Sequence, residues 1–173
     1  MTALLTNYKA VIDEITLQVK LSGNNMPEIL LVSKKQSEEK ILPLLECGHR
    51  LFGENQIQEA SDKWLKLKKL YPDIKLHLIG HLQSNKVKKA LEIFDVIEVI
   101  DSYKIAKIIK KNLSEDSKHK FLIQINIGKE QQKHGIMPED AGEFIEFCRE
   151  DLKLNIKGLM CIPPKNEEPS LFF

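Results

Sequence analysis

The sequence predicts an α/β fold on parallel strands. Three observations carry that expectation. Six short apolar segments recur along 173 residues, each is joined to the next through a stretch with helical spacing, and the breaks between them are short. The apolar segments do not alternate cleanly with polar residues, the pattern of strands covered on both faces. Two architectures satisfy this: an open doubly wound sheet and a barrel of the (β/α)8 type. A complete barrel needs eight strands and roughly 250 residues, and this chain supplies six strands.

The elements follow in order. Leu5, Tyr8, Ile12, Ile15 and Val19 share one helical face over residues 4–20, and Ser22-Gly23-Asn24-Asn25 closes that helix. Ile29-Leu30-Leu31-Val32 reads as a buried strand, running from Pro27 into Ser33-Lys34-Lys35. Ser37 is placed to cap a helix with Glu38 and Glu39 in its positive first turn. Pro43 implies a kink or a later start, and Gly48 a stop. Arg50-Leu51-Phe52-Gly53 is the second strand. Asn55, with Gln58 three residues on, is placed to cap a helix carried by Ile57, Ala60, Trp64 and Leu67. Residues 76–80 form the third strand, and Ser84 is placed to cap a short helix through Val87 and Leu91. Residues 96–100 form the fourth strand, after which Asp101-Ser102 opens a helix bearing Ile105, Ile108 and Ile109. Residues 121–127 form the fifth, with Gln124 and Asn126 on one face because side chains alternate. Pro138, Glu139 and Asp140 begin the last helix, carried by Ala141, Phe144, Ile145 and Cys148; residues 156–162 are the sixth strand, ended by Pro163-Pro164.

Composition excludes several function classes. Apolar residues are 42% and charged residues 29%, ordinary for a globular domain with a sizeable core. A formal net charge of +1 gives no field favouring nucleic acid or membrane surfaces. The lysines at 63, 66, 68 and 69, and at 86, 88 and 89, read as solvated helix faces. Cys47, Cys148 and Cys161 have neither redox-motif nor zinc-ligand spacing, and their odd number argues against a disulfide framework; they read as core thiols. The first residues lack a basic segment followed by a long apolar run, and no stretch reaches the length of a membrane span. The chain therefore reads as cytoplasmic, and it carries no signal for oligomeric state.

Chemistry in such folds sits at the C-terminal strand ends. Those ends hold Lys34, then Glu54-Asn55, then His81, Gln83, Ser84 and Asn85, then Asp101-Ser102, then Asn126, then residues 160–164. A lysine at the mouth of a buried strand is either a solvated loop residue or an amine whose desolvation favours the neutral nucleophile. The remaining set of amides and hydroxyls is not that of a hydrolase. There is no serine or cysteine with a local base motif and no glycine-rich phosphate loop. His77 and His81 lie four apart, but on a strand and its loop, so they read as structural and no metal site is expected. Helix capping is an ordinary role for Asn55, Ser84 and Ser102.

The segments Leu31-Val32-Ser33-Lys34, Phe52-Gly53-Glu54-Asn55-Gln56-Ile57-Gln58-Glu59, His77-Leu78-Ile79-Gly80-His81-Leu82-Gln83-Ser84-Asn85-Lys86, Ile123-Gln124-Ile125-Asn126-Ile127 and Gly158-Leu159-Met160-Cys161-Ile162-Pro163 stand in this order along the chain. They closely resemble the pyridoxal phosphate homeostasis proteins, the YggS/PROSC family, which are similar in fold to the N-terminal barrel domain of alanine racemase. The resemblance spans essentially all 173 residues. It implies a (β/α)8 TIM-barrel-type domain over residues 1–173, incomplete, with about six of eight strands present. It also implies that Lys34 forms a Schiff base with pyridoxal 5′-phosphate (PLP), with Asn55, Ser84, Asn85 and Asn126 lining the pocket; by strand alternation the adjacent Lys35 points to the opposite side of the strand. The implied function is intracellular PLP homeostasis without catalysis, with PLP-dependent apoenzymes as possible recipients. A PLP-dependent racemase-type enzyme is the alternative, or a truncated remnant with weak or no PLP binding. Family members carry two further strands with a Ser-x-Gly-Met-Ser and an Arg-x-Gly segment that grip the phosphate and face the pyridine nitrogen. Neither segment is present, so the resemblance implies truncation at the C-terminus, with Phe172-Phe173 inside the helix after the sixth strand and the first and sixth strands left as open apolar edges.

Overall fold

The computed structural model describes residues 3–165 together with Glu168 and Ser170; Phe172 and Phe173 lie outside the described residues. Six strands form one parallel sheet in the order β1-β2-β3-β4-β5-β6. They are β1 (Leu31–Val32), β2 (Leu51–Glu54), β3 (Lys75–Leu78), β4 (Val96–Ile100), β5 (Lys120–Ile125) and β6 (Ile156–Cys161). Sequence order equals spatial order, as in the staves of a (β/α)8 barrel, and unlike the strand order of a doubly wound sheet, which reverses at a switch point. Each strand has its sequence neighbour beside it, and β1 and β6 are the two edges.

Helices cover one face of this sheet: α1 (Ala3–Ser22), α2 (Glu38–Glu46), α3 (Ile57–Leu70), α4 (Val87–Ile93), α5 (Tyr103–Asn112) and α6 (Ala141–Glu146), the last continuing through a wider turn to Asp151. The core lies between helices and sheet, where Phe52, Leu76, Leu78, Ile97, Phe121 and Ile123 meet Trp64, Ala90, Ile109, Phe144 and Cys148, all buried. The alternation of β5 is plain: Phe121, Ile123 and Ile125 are buried, while Leu122 and Gln124 turn to the opposite face. On that face His77 Nδ1 meets Glu98 Oε1 at 2.5 Å, a largely buried contact that joins β3 to β4.

Several local expectations change. β1 is two residues long and partly exposed rather than buried, because among the described residues it is an edge with β2 as its one neighbour in the sheet. The α2 helix begins directly after Ser37 and tolerates Pro43 inside it, so Pro43 does not delay the start; the Ser37 side chain makes no cap bond. The N-cap of α3 is Gln56, not Asn55, and Gln58 bonds Asp62 instead of closing a capping box. Ser84 opens a single 3-10 turn, Ser84–Lys86, without capping it. Ser102 does cap α5, accepting from the Ile105 amide at 3.4 Å. Cys47 is exposed at the C-cap of α2, beyond that helix's apolar face, whereas Cys148 is a core thiol and Cys161 is half-buried on the edge strand. The lysine cluster on α3 is not uniformly solvated. Lys63 is buried, and Lys68 reaches Asp95 Oδ2 at 2.7 Å and the Ile93 carbonyl at 3.1 Å, tying α3 to the start of β4.

Candidate functional site

The site is built on the C-terminal rim of β1 and β2. The Ser33 amide donates to the Gly53 carbonyl at 3.0 Å, extending the β1–β2 ladder by one bond. The chain then turns, closed by Gln36 N–H donating to the Ser33 carbonyl at 3.1 Å. Lys34 is the second residue of that turn and its side chain is exposed. Lys35 follows at φ +58°, in the left-handed region that costs a side-chain-bearing residue free energy. Its amide donates to Glu59 Oε1 at 2.5 Å, which holds the conformation. Lys35 is therefore a turn residue, and strand alternation does not decide its direction.

A buried polar cluster fastens this turn to the sheet. Glu54, the last residue of β2, is 0% exposed, and its Oε1 accepts from Ser33 Oγ at 2.7 Å, Lys63 Nζ at 2.9 Å and Trp64 Nε1 at 3.0 Å. Lys63 Nζ also donates to the Ser33 carbonyl and to Glu59 Oε1, both at 2.9 Å. A buried carboxylate is tolerable only when paired and hydrogen-bonded, and here one ammonium and two neutral donors converge on one oxygen. Burial pushes the Glu59 carboxyl up, but the hydrogen bonds from Lys63 and from the Lys35 amide outweigh it and hold it below the usual carboxylate range. The backbone on both sides of Lys34 is thus pinned while its amine is free to meet solvent. Lys34 is not buried as expected: β1 is an edge of the sheet, and among the described residues the turn that follows it is exposed.

The other expected pocket residues gather elsewhere on the same rim. Asn55 lines a cavity of about 240 Å³ with Gln83 and Lys86. Ser84 lines one of about 380 Å³ with Asp101 and Ser102, and Asn126 one of about 260 Å³ with Gln124 and Met160. His81 lines all three, so Asn55, Ser84 and Asn126 are arranged around His81 rather than around Lys34. Asn85 is exposed on the 3-10 turn. Asn126 lies one residue beyond β5 and is buried by its own loop: its Nδ2 donates to the Glu130 carbonyl at 2.8 Å and its Oδ1 accepts from the Glu130 amide at 3.2 Å. Asn55 Oδ1 is buried and has no hydrogen-bond partner among the described residues. Gly80 packs so closely on the Asn55 backbone that a Cβ would lie 2.2 Å from its carbonyl oxygen, so only glycine fits there.

Sequence reasoning missed Glu59, Lys63 and His134, and gave Glu54 no role. A tryptophan in a buried helix face needs a partner for its N–H, and Glu54 ten residues before Trp64 is the one trace of the cluster in the sequence.

The model of the alanine racemase N-terminal domain matches residues 10–172. A pyridoxal phosphate homeostasis protein of Aquifex aeolicus is 36% identical over 152 residues, covering 85% of this chain and 64% of that protein. The protein of the same name from Escherichia coli K12 is 34% identical over 172 residues, covering 97% of this chain and 74% of that protein. The chain thus spans roughly two thirds to three quarters of the length of these relatives. Among solved structures, PipY of Synechococcus elongatus PCC7942 with PLP bound superposes with a TM-score of 0.71 at 32% identity, covering 89% of this chain and 72% of that one.

Proposed function

This chain belongs to the alanine racemase N-terminal domain family, among its pyridoxal phosphate homeostasis proteins, and from that premise we propose that it binds PLP as a Schiff base on Lys34 and serves intracellular PLP homeostasis as a carrier. The observation that carries the reading is the pinned turn. An exposed primary amine stands on a backbone fixed by the Glu54–Lys63–Glu59 cluster, which holds it in place for reversible condensation of its unprotonated form with an aldehyde. The cofactor supplies that aldehyde; the chain supplies the amine and its placement. Asn55, just past the end of the neighbouring strand, offers a buried acceptor without a partner among the described residues, suited to a polar ligand at this rim. The likeness to PipY, solved with PLP bound, supports the same ligand.

The carrier reading is favoured over a racemase. Racemisation needs proton donors on both faces of a carbanion. The Tyr8 hydroxyl is bonded to His49, the Tyr103 hydroxyl donates to Glu143, and the Tyr71 ring lies under the Arg50 guanidinium, so each of the chain's three tyrosines already has a partner, although Tyr8 lines a cavity with Val32, Ser33 and Gln36 beside the Lys34 turn. We read residues 1–173 as part of one barrel-type domain, place it in the cytoplasm, and take PLP-dependent apoenzymes as its recipients. No described helix is long and apolar enough to cross a membrane.

Titration with PLP tests the proposal by absorbance. The expected result is a protein-dependent imine band, absent in Lys34→Ala. No band supports the remnant reading, and a band that survives in Lys34→Ala overturns the assignment of the amine to Lys34. Incubating the PLP-loaded protein with single-enantiomer amino acids tests the carrier assignment, and Lys34-dependent loss of optical purity would overturn it.

A further inference from the structure

We propose that His81, Asp101 and His134 form a binding site for a divalent transition-metal ion of the zinc class. The three come from separate parts of the chain: the loop after β3, the end of β4, and the long loop after β5. Both imidazole Nδ1 atoms approach the same carboxylate oxygen, Asp101 Oδ2, His81 at 3.3 Å and His134 at 3.5 Å. Ligand bonds of about 2.0–2.2 Å at octahedral or tetrahedral angles place donor atoms about 3.0–3.5 Å apart, so the carboxylate-to-imidazole spacings already match those of a coordination sphere. Two imidazoles and one carboxylate suit zinc and its neighbours, not the hard ions magnesium and calcium, which require oxygen ligands.

The surroundings orient the Asp101 carboxylate, seat the His134 segment on β5 and leave both histidine rings partly exposed. Asp101 is largely buried, with a side chain 8% exposed, and its Oδ1 accepts from Ser102 Oγ at 3.1 Å, which orients the carboxylate. The His134 carbonyl accepts from Gln124 Nε2 at 3.1 Å, and Ile136 exchanges backbone bonds with Gln124 and Asn126. Gly135, at φ +130°, packs against the Asn126 amide, where a Cβ would lie 2.7 Å away; the loop is therefore seated on β5 by a residue that must be glycine. The histidine side chains are 44% and 58% exposed. Their rings now stack, centroids 3.9 Å apart and 16° from parallel. An imidazole lone pair lies in its ring plane, so one ring must turn about its Cβ–Cγ bond to aim both nitrogens at one ion, and exposure permits that without repacking. The cavity alongside, lined also by Gln83 and Ser84, leaves room for water in the remaining coordination positions. Lys104 and Lys133 line the same cavity and oppose a cation; Lys133 is offset by its ion pair with Glu130.

This cluster shares no residue with the polar cluster that pins Lys34, and its test uses the metal alone, without PLP. Zn²⁺ is titrated into the purified chain by calorimetry, and Co²⁺ is added separately to read the d–d absorption of a nitrogen–oxygen site. The expected result is saturable binding of one ion, no comparable response to Mg²⁺, and affinity lowered at least about 100-fold in His81→Ala, His134→Ala and Asp101→Asn. Unchanged far-UV circular dichroism in the two histidine variants shows that the loss is not unfolding. Absence of saturable Zn²⁺ binding overturns the proposal, as does binding that persists in the His81→Ala/His134→Ala double variant, which would place the ion elsewhere on the chain.

Discussion

Lys63→Met removes the one cation at the centre of the polar cluster and keeps the length of the side chain. Lys63 is 7% exposed and donates to the Ser33 carbonyl, Glu54 Oε1 and Glu59 Oε1, each at 2.9 Å. The substitution leaves the fully buried Glu54 carboxylate with only the Ser33 hydroxyl and the Trp64 N–H. Breaking a buried pair by removing one partner costs about 3–5 kcal/mol. At a urea slope of about 2–3 kcal/mol/M, the unfolding midpoint falls by about 1–2.5 M. Glu54→Gln in the Lys63→Met background removes the stranded charge and recovers part of that loss, so the two substitutions are strongly non-additive. The assay is urea unfolding followed by circular dichroism at low protein concentration, with PLP uptake measured in parallel, because the same bonds fix the turn bearing Lys34. A midpoint within about 0.3 M of the unsubstituted protein would refute the claim that this cluster anchors the β1 end of the sheet.

Three further outcomes follow from other parts of the structure. His49 Nε2–H donates to the Leu51 carbonyl at 2.7 Å, so its Nδ1 accepts from the Tyr8 hydroxyl at 3.1 Å and ties α1 to the sheet. Burial, with a smaller contribution from Arg50, holds the His49 imidazole below its usual range despite the Leu51 bond; its neutral-form stabilisation is therefore present above the unfolded value of about 6.5 and is lost as pH falls from there through the folded value. His49→Gln should flatten this part of a stability-versus-pH curve, and an unchanged curve would contradict it. Burial pushes the Cys148 thiol up to about 11, while Cys47 is exposed, so a thiol reagent at neutral pH should label Cys47 and spare Cys148 until the chain unfolds, as peptide mapping would show. The edges β1 and β6 of the described sheet expose Val32 and Leu159, with Ile162 exposed just beyond β6; Leu159→Lys should lower concentration-dependent light scattering, and equal scattering would show that the edge does not drive association.

The sequence made the order and type of the elements legible because burial between sheet and helices is written in periodicity. Residues 96–100 appear as β4 with the expected boundaries, and Ile105 and Ile109 of α5 are core residues as their spacing implies. What it could not show depends on neighbours distant in the chain. Ile29-Leu30-Leu31-Val32 has the composition of a buried strand, yet burial requires a strand on each side, and among the described residues β1 has only β2. Lys63 sits in a run of lysines that looks solvated, and only the fold brings Glu54 beneath it. Asn55 and Ser84 are cap-forming residue types, but the backbone placed the helix starts elsewhere. His134 is 53 residues from His81, so no spacing rule connects them.

The central claim is that Lys34 is the amine that takes up PLP. Borohydride reduction of the PLP-treated protein, followed by peptide mass mapping, tests it most directly. One adduct on the peptide containing Lys34, lost in Lys34→Ala and diminished in Lys63→Met, is the predicted result. Adducts spread over surface lysines such as Lys66, Lys88 and Lys104 with no preference for Lys34, or no adduct at all, would contradict it.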